Sequence, residues 1–133
     1  MGTRSTIALE FADGTVEEVY CHWDGNIEHN GRILAEHYSD PFKLRELIDL
    51  GNLSSLHPSI GEQHNFDHAY EDGCTFYARD RGETDQAADK FWNFDVYRTT
   101  RECQQYAYIL RSNGVWYVAA NHNKFVELAG AVD

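Results

Sequence analysis

Apolar and polar positions alternate through Thr6–Phe11, where Ile7, Leu9 and Phe11 fall on one side, and this predicts a first strand. Ala12-Asp13-Gly14-Thr15 predicts a hairpin turn, with Asp-Gly supplying the positive φ, and a second strand runs from Val16 to about Trp23. A polar loop from Asp24 to Gly31 leads into a short helix over Arg32–Tyr38. Asp40 as cap, Pro41 at the first helical position and Gly51 as stop then bound a second helix, whose stripe is Phe42, Leu44, Leu47, Ile48 and Leu50.

Beyond Gly51 the periodicity fades. Asn52 to Gly73 reads as an irregular stretch with Leu53, Leu56, Ile60 and Phe66 as anchors, either hiding a short strand near Leu53 or forming a functional loop. Cys74–Arg79 reads as a third strand, and Ala87–Phe94 as a helix. Gln104–Leu110 and Val115–Ala119 are strands four and five, joined at Asn113-Gly114 by what reads as a two-residue turn; Lys124–Leu128 is a last strand or half a helix. The predicted fold is α+β: one domain over residues 1–133, with an antiparallel sheet of about five strands (two β-hairpins) and two to three helices on one face.

Composition adds two constraints. Eight Tyr, seven Phe and three Trp can build a core without metal or disulfide support. Twenty-two Asp and Glu against eleven Lys and Arg give a net charge of −11. That balance argues against binding a nucleic-acid backbone or an anionic membrane and favours partners with a basic surface. Between Ser5 and Gly31 stand six acids and no Lys or Arg, so the first hairpin is expected to carry a negative field in which Glu17 and Glu18 are displayed. Cys21, Cys74 and Cys103 make no C-x-x-C pair. Thr6 satisfies the myristoylation pattern that Gly2 opens, but it falls in the first strand; a cytoplasmic, unlipidated chain with reduced thiols is expected.

Three groups of residues carry candidate chemistry. Cys21-His22-Trp23-Asp24 sets a thiol, an imidazole and a carboxylate in four residues. Strand alternation sends Cys21 and Trp23 to one face and His22 and Asp24 to the other, so Cys21 cannot use His22 as its base. Cys21 is expected buried, Trp23 in the core or at a pocket rim, and His22 and Asp24 available for binding. His64-Asn65-Phe66-Asp67-His68 has metal-like spacing but a poor helix pattern, and no metal or cofactor is assigned. Its histidines are expected to be solvated. Arg32, Arg79 and Arg81 are the candidates for meeting a small anion.

Thr3-Arg4-Ser5-Thr6-Ile7, Asp13-Gly14, Tyr20-Cys21-His22-Trp23-Asp24-Gly25, Lys43-Leu44-Arg45-Glu46-Leu47-Ile48 and Gly51-Asn52-Leu53-Ser54-Ser55-Leu56 together resemble a family of small uncharacterised accessory proteins of tailed phages. The resemblance implies an infected bacterial cell and a protein that disarms host defence by binding. The leading expectation is a non-enzymatic acidic inhibitor of a host defence protein with a basic surface, of the anti-CRISPR or anti-restriction type. A second is a sponge for a small nucleotide, built as an oligomer around Arg32, Arg79, Arg81 and the aromatics near His22 and Trp23. A third is a hydrolase or metal enzyme using His22, Asp24, His64 and His68.

Overall fold

The computed structural model describes residues 3–67, 72–100, 105–120 and 124–129. The two hairpins come first in the logic of the fold. Strands β1 (Ser5–Glu10) and β2 (Val16–Cys21) pair antiparallel, as do β6 (Tyr106–Leu110) and β7 (Trp116–Ala120). Both turns have the same chemistry. Gly14 N donates to Phe11 O and Phe11 N to Thr15 O; Gly114 N donates to Arg111 O and Arg111 N to Val115 O. Each glycine sits at positive φ, 92° and 81°, so these are three-residue loops ending in a bulge glycine rather than two-residue turns. The residue before each glycine braces the turn: Asp13 Oδ1 accepts from Thr15 N at 3.0 Å, and Asn113 Oδ1 from Val115 N at 3.0 Å.

The hairpins join through β1 and β6, which run parallel, Ile7 opposite Tyr108. Local pattern could not reveal this pairing, because the partners lie about a hundred residues apart. Shorter strands complete an eight-stranded mixed sheet in the order β4-β3-β2-β1-β6-β7-β8, with β3 (Leu53–Ser55), β4 (Thr75–Phe76) and β8 (Val126–Glu127). The outer edge of β2 is shared. Strand β5 (Asp89–Phe91) takes its first half antiparallel, and β3 takes Cys21 in parallel. The α+β class holds, while the five-stranded antiparallel sheet is replaced by a larger mixed one.

Helices cover both faces. On one, α1 (Arg32–His37), entered through a π-helical turn at Ile27–Gly31, and α2 (Pro41–Asp49) lay Leu34, Leu44, Leu47 and Ile48 on Ile7, Val19, Tyr108 and Val118. Helix α2 forms where its signals place it: Asp40 Oδ1 accepts from Phe42 N at 2.9 Å, and Gly51 follows the helix at φ 88°. A side chain at Gly51 would put its Cβ 2.2 Å from Gln86 O. Phe42 leaves the stripe and is exposed. On the opposite face, α4 (Phe94–Thr100) sets Tyr97 on Ala8, Val16 and Ile109, ringed by Phe91, Phe94 and Phe125. The helix expected at 87–94 is instead β5 and the turn into α4. The strand expected over 74–79 stops at Phe76, and α3 (Tyr77–Arg81) begins, because the Asp80 carboxylate turns back to accept from Phe76 N at 2.8 Å.

The long stretch after β3 is tied down. Tyr38 Oη donates to His57 O at 2.7 Å, and Lys43 Nζ to Pro58 O at 2.7 Å. Arg79 donates to Gly61 O and Cys74 O, both at 2.9 Å, and to Asp80. No helix among the described residues is long and apolar enough to cross a membrane.

Candidate functional site

Among the described residues, the α4 face of the sheet is only half covered. Near the end of β2 the side chains pointing that way are Tyr20 and His22, and the chain beyond them is fixed from within. His22 N and Trp23 N continue the ladder to Leu53 O and Ser54 O at 3.1 and 3.0 Å. The backbone then turns sharply at Asp24, φ 58°, a conformation aspartate tolerates better than most residues. Buried Asn30 donates to Trp23 O at 3.1 Å, and Tyr108 Oη donates to Gly25 O at 2.6 Å. Gly25 is needed for closeness: a Cβ there would stand 2.7 Å from Ser5 Cβ. A turn bolted at three successive residues holds its side chains in place.

What this turn displays is aromatic and acidic. Trp23 is 43% exposed, so it is a rim residue and not part of the core. Its ring meets His22 edge-on at 4.8 Å, and His22 Nδ1 shares a 2.7 Å hydrogen bond with Tyr20 Oη. Burial, the largest influence on the Tyr20 phenol, raises its pKa, so it keeps its proton and can donate it to His22. Asp24 is exposed beside them. Cys21 is fully buried on the other face, its thiol pushed up to about 12 chiefly by desolvation, against a lowering contribution from Asn30. A thiol so protonated is no nucleophile at neutral pH.

Behind Tyr20 lies a polar cavity of about 370 Å³, lined by Arg4, Thr6, Glu18, Tyr20, Asn52 and Asp89. It exists because β5 and β3 divide the edge of β2 and leave a gap at Tyr20. Asn52 bridges the gap, its Oδ1 accepting from Tyr20 N at 2.9 Å and its Nδ2 donating to Gln86 Oε1 at 3.1 Å.

The sequence-predicted residues divide accordingly. His22, Trp23 and Asp24 come together, and Tyr20, which sequence reasoning overlooked, joins them; its position two before His22 on a strand was the available signal. Glu17 and Glu18 point to opposite faces of β2, and Glu18 is 5% exposed, so they are not displayed as a pair. Arg79 is committed to the loop and to Asp80, and Arg81 pairs with Glu83 at 3.1 Å and lies over the Phe66 ring. Arg32 stands on α1 with Glu36 at 3.9 Å. Each of the three guanidiniums thus has a carboxylate neighbour.

His64 is not solvated. Its side chain is 13% exposed, with Nε2 3.1 Å from Thr75 Oγ1 and Nδ1 3.4 Å from Asp80 Oδ1. His68 and Cys103 lie outside the described residues, among which no cluster of three metal-ligating side chains occurs. Asp80 has the most demanding electrostatics. Burial pushes its pKa up, but the Arg79 hydrogen bonds and the amides of Phe76 and His64 outweigh this and hold it below the usual carboxylate range. Those contacts serve the fold.

No protein-family model, curated protein or solved structure shows a significant match to the chain.

Proposed function

We propose that the protein is a non-enzymatic binder whose partner is a protein with a basic surface. In the setting implied by the phage resemblance, that partner is a host defence protein. The observation carrying this reading is Trp23, an exposed indole fixed against His22 on a turn bolted from inside. Interfaces draw most of their affinity from a few aromatic anchors, and an anchor already rigid loses little entropy on docking. Asp24 and Glu28, both exposed near it, add negative charge to a chain that is already strongly acidic. Charge of this kind steers a basic partner toward the anchor. The buried, protonated Cys21 removes the nucleophile that a catalytic reading of the same four residues would need.

The test is a pull-down from bacterial lysate with the wild type and Trp23→Ala, repeated with Asp24→Lys and at raised salt. A specific partner should be retained by the wild type and weakened about 30-fold by Trp23→Ala, the loss expected for a hot spot of about 2 kcal/mol. Asp24→Lys and high salt should weaken it less. Equal capture by wild type and Trp23→Ala would overturn the reading.

A further inference from the structure

Where α2 begins, the apolar face of the sheet ends in a groove of about 300 Å³ between the first turn of that helix and the tips of the two hairpins. The buried Leu9 and Leu110 form its floor, and the more exposed Phe11, Pro41 and Phe42 its sides. It lies at the turn end of β1 and β2, whereas Trp23 follows the other end of β2. A mostly apolar space of this volume is at the lower end of small-molecule sites.

Phe42 is the first observation that folding does not account for. It is 83% exposed in the first turn of α2 and belongs to neither core cluster. One exposed apolar side chain is ordinary on a protein surface. Here, though, Phe42 continues Pro41, Phe11 and the floor as one apolar surface, and a contiguous surface of that kind marks a place of interaction.

The charges at the groove are the second observation. Arg111 donates to both oxygens of Glu10, at 2.9 and 3.2 Å, and Ser112 N adds a third bond at 2.9 Å, so that carboxylate is occupied. Arg45 is placed differently. Its guanidinium lies over the Phe11 ring, 5.2 Å from the centroid, which holds it at the groove wall. Its carboxylate neighbour is Asp49 at 3.9 Å, with both side chains 61% exposed, and a pair so solvated holds the guanidinium only weakly. The groove thus joins an apolar surface to a cation that can exchange its partner.

We infer that the groove binds a small molecule with an apolar body and a carboxylate head. The body lies on Leu9, Leu110 and Phe42 and takes the Phe42 ring out of water. The carboxylate meets the Arg45 guanidinium at the rim. A neutral molecule of the same shape would leave Arg45 unused, and an amine would be set against it. The inference uses no residue of the Trp23 turn and stands apart from the protein-binding reading.

Octanoate, octanol and octylamine, matched in chain length, test it by backbone amide and methyl spectra of the full chain. Octanoate should perturb Leu9, Phe11, Leu110 and Arg45 and bind there most tightly of the three, and octylamine least, although the net charge of the chain attracts the amine. Arg45→Gln should weaken octanoate about fivefold, the most that an exposed ion pair supplies, and leave octanol unchanged. Phe42→Ser should weaken octanoate and octanol alike, with Tm close to that of the wild type because the ring is exposed. Trp23→Ala should bind octanoate as the wild type does, whichever way the pull-down falls. Sedimentation without ligand addresses a second copy of the chain as the occupant: a dimer that Phe42→Ser dissociates and octanoate leaves intact would overturn the inference. So would silence of the groove signals with all three compounds, octylamine binding there as well as octanoate, or an Arg45→Gln variant that keeps the full preference for octanoate over octanol.

Discussion

The two faces of the central sheet are built on opposite plans. Under α1 and α2 the surface is closed and apolar: Ile7, Val19, Leu44, Leu47, Ile48 and Tyr108 are all fully buried. On the other face α4 closes one end with an aromatic cluster, while the end at Tyr20 and His22 is left open by the described residues and keeps polar groups at a cavity wall. The same strand supplies both, with Val19 and Cys21 facing in and Glu18 and Tyr20 facing out. A two-residue period therefore divides stability from recognition within one segment, and substitutions on the two sides should separate cleanly.

The largest effect belongs to the closed face. Leu47→Ala removes a fully buried side chain between α2 and the sheet and should cost about 3 kcal/mol in chemical denaturation, as cavity-forming changes do. A cost below about 1 kcal/mol would mean that this face is less well packed than described.

Asp80→Asn comes next, because it unpicks the join between α3 and the long loop. The variant loses the charge that Arg79, Phe76 N and His64 N all address, and a drop of about 2 kcal/mol is expected. The pH dependence has a definite sign. The Asp80 carboxyl is held below its ordinary value in the folded state, so its contribution is complete above about pH 4 and is lost as pH falls through the folded value. Glu10 adds the same sign: burial raises its pKa, but Arg111 and the Ser112 amide outweigh that and lower it. Denaturation from neutral pH downward should show stability falling more steeply in the wild type than in Asp80→Asn. Parallel curves would remove the carboxylate from this role.

The smallest effect sharpens the contrast most. Trp23→Ala, on the open face, should change Tm little, with a stability difference within about 0.5 kcal/mol, because the turn is held by backbone contacts from Asn30 and Tyr108 rather than by the indole. A large loss of stability would make Trp23 a packing residue after all.

Sequence alone revealed what local chemistry decides. Asp40, Pro41 and Gly51 bound α2, and Asp13-Gly14 and Asn113-Gly114 mark both hairpins, because capping and positive φ are settled within a few residues. The parallel joining of β1 to β6 depends on residues far apart, and nothing in either strand announces its partner. Cys74–Arg79 alternates like a strand, but the Asp80 carboxylate caps Phe76 N and starts a helix. At the site, alternation correctly separated Cys21 from His22. It could not reveal that Trp23 leaves the core, since that follows from the turn at Asp24 and the close approach of Gly25 to Ser5. Nor could it tell Arg79, consumed by carbonyls of a distant loop, from a free cation.

The matched turns have a consequence for how the protein ages. Asn-Gly is the dipeptide most prone to losing its side-chain amide, and Asn113-Gly114 sits on an exposed hairpin. In the native turn the oxygen of Asn113, not its nitrogen, braces Val115, and a carboxylate performs that task for Thr15 in the first hairpin. An aspartate at position 113 would therefore make the second turn a chemical copy of the first, at the cost of one contact to Tyr117, whereas the isoaspartate that the succinimide route chiefly yields adds a backbone methylene and breaks the match. Asn113→Asp should match the wild type in Tm, while the isoaspartate species that accumulates in a sample aged at alkaline pH should melt lower; a marked fall in Tm for Asn113→Asp would show that the two turns are less alike than their hydrogen bonds.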